Sequence, residues 1–254
     1  MLSKNKIKLI SSLQRKKMRD EHSLFVAEGN KLVSEIVESD FKIHSVVALH
    51  QWIETKKLSP NIEIIEANEK EMKKISSLTT PTEVLAVVEK PAFDLDISRL
   101  SGQLSLVLDD IQDPGNLGTI IRLADWFGIE NIVCSRGTVD VFNPKVVQAT
   151  MGAILRVKLH YSDLGKFFGE VLEQFKIPVY GTFMDGTSIY QEKLPEAALI
   201  VMGNEGKGIS KDIQQFITHK ISIPSFSENK TSESLNVANA TGIILSEFSR
   251  RRFL

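Results

Sequence analysis

The sequence predicts an α/β protein, and three observations carry that expectation. Continuous apolar runs of strand length, such as Leu104–Leu108 and Leu199–Met202, stop abruptly at acidic or glycine residues. Segments of helical period, with apolar residues on one side, alternate with those runs. At Ala198–Ser210 the two meet: the apolar run ends on Gly203, Gly206 and Gly208 loosen the backbone, and a helix opens near Ile209 and Ser210. A strand, a glycine turn and a helix form the junction at which α/β proteins hold nucleotide-like ligands. Glu205 stands out there as a carboxylate planted in the turn itself.

Length and composition set the outer bounds. The chain has 254 residues, 42% hydrophobic and 25% charged, which suits one large domain or two ordinary ones and excludes a disordered chain. No apolar run reaches the length of a membrane span, and MLSKNKIKLISS lacks the apolar core of a signal peptide, so a cytoplasmic, membrane-free protein is expected. The single cysteine, Cys134 in NIVCS, excludes an internal disulfide and reads as a small core residue. The five histidines are scattered without ligand spacing, so no metal site is expected. Net charge is −1, yet Lys4, Lys6, Lys8, Arg15, Lys16, Lys17 and Arg19 crowd the start of the chain. Such a basic face suits RNA phosphates, although a solvated helix face has the same composition.

Taken in order, Lys4 to Arg19 reads as one basic helix with Ile7, Ile10 and Leu13 on its apolar side. His22–Gly29 reads as a strand, Asn30 as the cap of a helix over Lys31–Ser39, and Ile43–Leu49 as a second strand. A helix over Trp52–Lys57, a strand over Ile62–Ala67, a helix over Glu69–Ser76 and a strand over Val84–Glu89 complete a smaller α/β domain at residues 1–93. Pro91 to Ser101 mixes Pro, Asp and Ser without periodicity and reads as the linker.

A larger domain, residues 101–254, opens with the strand Leu104–Leu108. Pro114 and Gly115 turn the chain, Asn116 reads as an N-cap, and Leu117–Phe127 as an amphipathic helix ended by Gly128. Arg122 is placed by this reading close to that helix's N-terminus. There follow a strand over Asn131–Ser135, a helix begun by Pro144, a strand over Leu155–Leu159 and a helix over Leu164–Phe175. Strands over Ile177–Phe183 and Pro195–Met202, a helix over Ile209–Phe216 and a strand over Lys220–Pro224 come next. The last segment, SLNVANATGIILSEFSRR, is helical, with Arg250–Arg252 where the helix dipole favours cations.

Three polar clusters fall at strand ends or helix starts: Asn116 with Arg122, Gly203 through Gly208, and Ser234 with Asn236. The glycine order is not that of a Rossmann fingerprint, which argues against a nicotinamide oxidoreductase, and no Walker A pattern is present. Together the clusters have a recognisable form. DPGNLGTIIRLADWFG, IVMGNEGKGIS and IPSFSENKTSESLNVANATGIIL, with PKVVQATMGAILRV between the first two, resemble the motifs of the SpoU, or TrmH-type, branch of the SPOUT superfamily. The resemblance spans about Leu104 to Arg250, and the residues before Pro91 look like the small L30e-like substrate-binding domain often attached in front.

The resemblance implies an S-adenosylmethionine-dependent RNA ribose 2′-O-methyltransferase, with a parallel sheet, a deep trefoil knot and a homodimeric assembly. It implies rRNA as the substrate, with tRNA, or a non-catalytic RNA-binding protein of the same fold, as the alternatives. Carried over by motif, Thr182, Gly203, Gly206, Ile223 and Leu235 would hold the cofactor. Arg122, Asn116, Glu205, Ser234 and Asn236 would form the catalytic set. Arginine stays protonated in proteins, so Arg122 is expected to clamp a phosphate or developing alkoxide, with Asn116 and Glu205 orienting it and the ribose. The stretch between Pro224 and Ser234 is longer and more polar than the family's compact version, and Asn239 and Thr241 stand where small residues are common.

Overall fold

The computed structural model describes residues 2–56, 59–227 and 234–250. In chain order the elements begin with α1 (Lys4–Ser12), α2 (Lys16–His22), β1 (Leu24–Glu28), α3 (Asn30–Val37), β2 (Ile43–Ala48) and α4 (His50–Glu54). They continue with β3 (Ile64–Glu66), α5 (Glu69–Ile75), β4 (Val84–Glu89), α6 (Ile97–Leu100), β5 (Leu104–Leu108) and α7 (Pro114–Trp126). Next come β6 (Asn131–Ser135), α8 (Pro144–Ala149), β7 (Lys158–Ser162), α9 (Leu164–Gln174) and β8 (Val179–Ser188). The described chain closes with β9 (Ala198–Met202), α10 (Lys211–Gln214), β10 (His219–Ser222) and α11 (Val237–Arg250). Two compact units result: Met1–Ala92 with Asp140–Leu155, and Phe93–Val139 with Arg156–Leu254.

In the first unit a four-stranded sheet runs in the order β1-β4-β2-β3, antiparallel except for the β2–β3 pair. Leu13, Leu24, Val47, Met72, Ile75 and Leu85 form its core with α1 and α5. The single basic helix expected at Lys4–Arg19 is two helices. Leu13 is fully buried where α1 ends, and Arg15 is extended (φ −95, ψ 132) before α2. Arg19, 2% exposed, fills the break. It donates to the carbonyls of Leu13 and Gln14 at 2.9 Å each and to Asp140 Oδ2 at 2.6 and 3.0 Å. Arg19 is therefore not part of a basic surface.

Asn30 is likewise not a cap. Gly29 (φ +109) precedes α3, and the Asn30 amide reaches Glu83 instead. Asp140–Leu155, read from the sequence as part of the larger domain, groups with this first unit. Phe142 packs on Phe25 at 4.8 Å between ring centroids, and α8, capped by Asn143, lies against β1.

The second unit is built on a six-stranded sheet, all parallel, ordered β10-β8-β9-β5-β6-β7. β5 and β9 are wholly buried and central, which is why both read as unbroken apolar runs. From β5 the chain proceeds outward through β6 and β7, then crosses to the other side for β8 and β9. The loops leaving β5 and β9 consequently diverge at neighbouring strand ends, the switch point at which open α/β sheets bind ligands. Several boundaries shift from the expected ones. Ala153–Leu155 is a 3₁₀ turn and β7 begins only at Lys158; β8 runs on to Ser188; the helix after the glycine turn shortens to α10; and α6 interrupts the linker. Cys134 is buried in β6, and burial pushes its thiol up, so it is core.

Candidate active site

The loop after β5 begins the site. Asp109 is buried, and its Oδ2 accepts from the Ser210 amide at 2.8 Å. Asp113 caps α7 by accepting from the Asn116 amide at 2.8 Å, with Pro114 in the first turn. The cap therefore lies three residues before the expected one, and Asn116 lies in the helix's first turn. A cap would have spent the Asn116 carboxamide on the helix's own backbone. Here it is free to face outward.

Asn116 Nδ2 donates to Glu205 Oε1 at 2.9 Å, and Asn116 Oδ1 accepts from Asn236 Nδ2 at 2.8 Å. The polarity of this chain is forced. An ionised carboxylate only accepts, so Asn116 must turn its nitrogen to Glu205 and its oxygen to Asn236. Asn236 Oδ1 then accepts from the Ala238 amide at 3.0 Å at the start of α11. One residue from each of the three polar clusters is thus joined in a single relay.

Glu205 rides on a turn closed by paired main-chain bonds, Asn204 N–H to Gly208 O at 3.1 Å and Gly208 N–H to Asn204 O at 2.9 Å. Gly208 takes φ +68. The turn folds back so tightly that a Cβ on Gly203 would lie 2.3 Å from Gly208 C and Ile209 N.

Arg122 is not near the N-terminus of its helix. It is the ninth residue of α7, exposed, and among the described residues no hydrogen bond or ion pair holds it. It stands outside the relay, as does Ser234, which is exposed ahead of α11. Thr182 is half-buried and its hydroxyl donates to Val201 O at 3.3 Å. Gly206 is exposed, with its amide on Asn204 Oδ1 at 3.0 Å. Ile223 is half-buried just after β10. Leu235, 52% exposed, lines an open groove of about 660 Å³ between α7 and α11 with Thr119, Leu123, Tyr190, Asn239 and Ile243. The groove meets the relay at Ala238, whose amide donates to Asn236 Oδ1. Most of the polar stretch 225–233, with Arg251 and Arg252, lies outside the described residues, as does Lys57.

Two residues here escaped the sequence reading. Asp113 was legible as an Asp-Pro pair, a cap followed by Pro at the first helical position. Asn204 carried no signal beyond standing among glycines. The set as a whole suits an adenosyl group. Leu235 presents apolar surface one residue from Asn236, and Asn236 is two hydrogen bonds from a turn in which Gly206 and Gly208 are exposed while Gly203 is buried.

The chain matches the SpoU rRNA Methylase family over residues 103–246 and the MRM3-like substrate binding domain over residues 4–86. It belongs to the SpoU rRNA methylase family. Among individual relatives, it is 30% identical over 242 residues to the 23S rRNA (guanosine(2553)-2′-O)-methyltransferase RlmP of Bacillus subtilis, covering 94% of each chain. A solved TrmH-family structure from Porphyromonas gingivalis is 41% identical, with a TM-score of 0.90 over 99% of both chains. The AdoMet-bound rRNA methyltransferase of Sinorhizobium meliloti is 29% identical, with a TM-score of 0.86 over 100% of this chain and 98% of that one.

Proposed function

We propose that this chain transfers a methyl group from S-adenosylmethionine to a ribose 2′-oxygen in rRNA. Family membership, the RlmP likeness and the AdoMet-bound S. meliloti neighbour support the reaction class. The observation that carries the site is the Asn236–Asn116–Glu205 relay, which brings all three motifs to one place. Thr182, Gly203, Gly206, Ile223 and Leu235 would hold the cofactor, which supplies an electrophilic methyl when bound. The protein's own task is then alignment of the 2′-oxygen and help with its deprotonation. Orientation of well-held reactants contributes on the order of 7–11 kcal/mol.

In this reading Glu205 and Asn116 set the ribose through hydrogen bonds, with Ser234 and Asn236 ordering the third motif around them. Arg122 is exposed and, among the described residues, makes no hydrogen bond or ion pair, which leaves its guanidinium available to a phosphate or developing alkoxide. Arg122→Ala should abolish transfer of labelled methyl to rRNA while AdoMet affinity, read by calorimetry, changes less than about twofold. Equal loss of both would assign Arg122 a structural role. Mapping 2′-O-methyl sites in total RNA with and without the gene identifies the substrate; loss of a tRNA site alone would overturn the rRNA assignment.

The active form in this reading is a homodimer with a knotted catalytic unit. Trp126 is 84% exposed on α7, and the groove between α7 and α11 is lined by Leu123 and Ile243, an apolar surface that a second copy would cover. Sedimentation at micromolar concentration should give twice the chain mass; a monomer there removes the dimer. No described helix is long and apolar enough to cross a membrane, and a cytoplasmic location is proposed with the activity.

A further inference from the structure

Asn204 directly precedes Glu205, and both ends of its carboxamide are engaged. Its Oδ1 accepts from the amides of Gly206 and Lys207 at 3.0 Å each. Its Nδ2 donates to the main-chain carbonyl of Asp110 at 2.8 Å. Amides only donate and a carbonyl only accepts, so the partners leave one orientation for the carboxamide. One end therefore shapes the glycine turn from inside, while the other staples that turn to the loop after β5.

The anchor of the staple is itself held. Asp110 sits in the left-handed region at φ +62, and its amide donates to Ser135 Oγ at 2.9 Å. Ser135 Oγ lies 3.2 Å from Thr138 Oγ1, which donates to Leu108 O at 3.3 Å. Gly137 approaches so closely that a Cβ there would meet Asp110 Oδ1 at 2.2 Å. Glu205, by contrast, is exposed, and among the described residues its carboxylate meets only the Asn116 amide. A carboxylate on an exposed turn keeps its place over Asn116 only if the turn is fixed to the strand end from which α7 departs. Asn204 supplies a hydrogen bond that does this.

We propose that Asn204 is a positioning residue that acts on methyl transfer through Glu205, by stapling the turn to the carbonyl of Asp110. The proposal rests on the reading of Glu205 as part of the catalytic set. Two variants separate the halves of the side chain. Asn204→Asp keeps an oxygen for the Gly206 and Lys207 amides but sets a carboxylate oxygen against the Asp110 carbonyl, which opens the staple alone. Glu205→Gln removes the charge that the staple positions.

The experiment is a double-mutant cycle on kcat and KM for methyl transfer to rRNA, with AdoMet affinity and melting temperature measured on every variant. Asn204→Asp should lower kcat about ten- to a hundredfold, with KM for RNA and AdoMet affinity within about threefold of the parent. On the Glu205→Gln background it should cost nothing further. Additive losses, an unchanged kcat, or a fall in AdoMet affinity matching the fall in kcat would each overturn the proposal. An unchanged kcat in Glu205→Gln alone would instead remove the reading of Glu205 on which it rests. Should Asn204→Asp fail to fold, Asn204→Ser takes its place, because a serine hydroxyl can serve the turn but is too short for Asp110. The same non-additivity is expected there, and additivity there is equally fatal.

Discussion

Gly203 is kept to glycine by its own chain. A Cβ there would fall among main-chain atoms of Gly208 and Ile209, which have no rotamer by which to withdraw. Gly203→Ala should therefore push the turn off the end of β9, costing about 1–3 kcal/mol in urea unfolding. Glu205 would be carried away with it, so AdoMet affinity and methyl transfer should both fall. A variant with parental stability and activity would show that the turn tolerates another path. At Asn116 the same scale shows how one residue type admits two local roles. The sequence marks it by type, since asparagine before a helical run is an ordinary cap. The structure gives the cap to Asp113 and so releases the carboxamide for Glu205 and Asn236.

Among the elements, α1 and α2 divide charge into two jobs. Lys4, Lys8, Arg15, Lys16 and Lys17 are exposed, whereas Arg19 is buried against Asp140 and two carbonyls. Removing one partner of a buried pair leaves the other charge uncompensated, so Arg19→Ala should destabilise the fold by about 3–5 kcal/mol. Neutralising Arg15, Lys16 and Lys17 together should leave urea unfolding unchanged and flatten the salt dependence of RNA binding, by about 0.7 in log–log slope for each single-strand phosphate left without its cation. An unchanged slope would mean that these lysines and Arg15 merely solvate the helix. No composition-based reading separates Arg19 from its neighbours, because its partner lies 121 positions away.

For the molecule as a whole, the sheet of the second unit was largely legible. β5 and β6 fall at their expected limits, Leu104–Leu108 and Asn131–Ser135, because strands buried on both faces announce themselves as apolar runs. The ends of β7, β8 and α10 were not, since a 3₁₀ turn and a register break between Lys220 and Ile221 depend on neighbours and not on local pattern. Three motif residues, Asn116, Glu205 and Asn236, could be picked from the sequence. Their joining hydrogen bonds, which span 89 and 120 positions, could not. The membership of residues 140–155 was hidden for the same reason. A fragment of residues 1–92 should accordingly lack the ring that covers Phe25 and the carboxylate that neutralises Arg19. It should melt well below the intact chain and bind a dye for exposed apolar surface; a cooperative fold with full-length stability would refute this.

That interrupted first unit also has a history within each round of synthesis. Translation delivers β1 to β4 early, yet Asp140 and Phe142 emerge only after β5, α7 and β6 have been made. Arg19 is made 121 positions before its counter-charge, so part of the second sheet is synthesised before the pair can form. Non-local contacts of this reach slow folding and prolong exposure of apolar surface. The amino-terminal unit is therefore completed only with residue 155, after part of the second sheet has already been made.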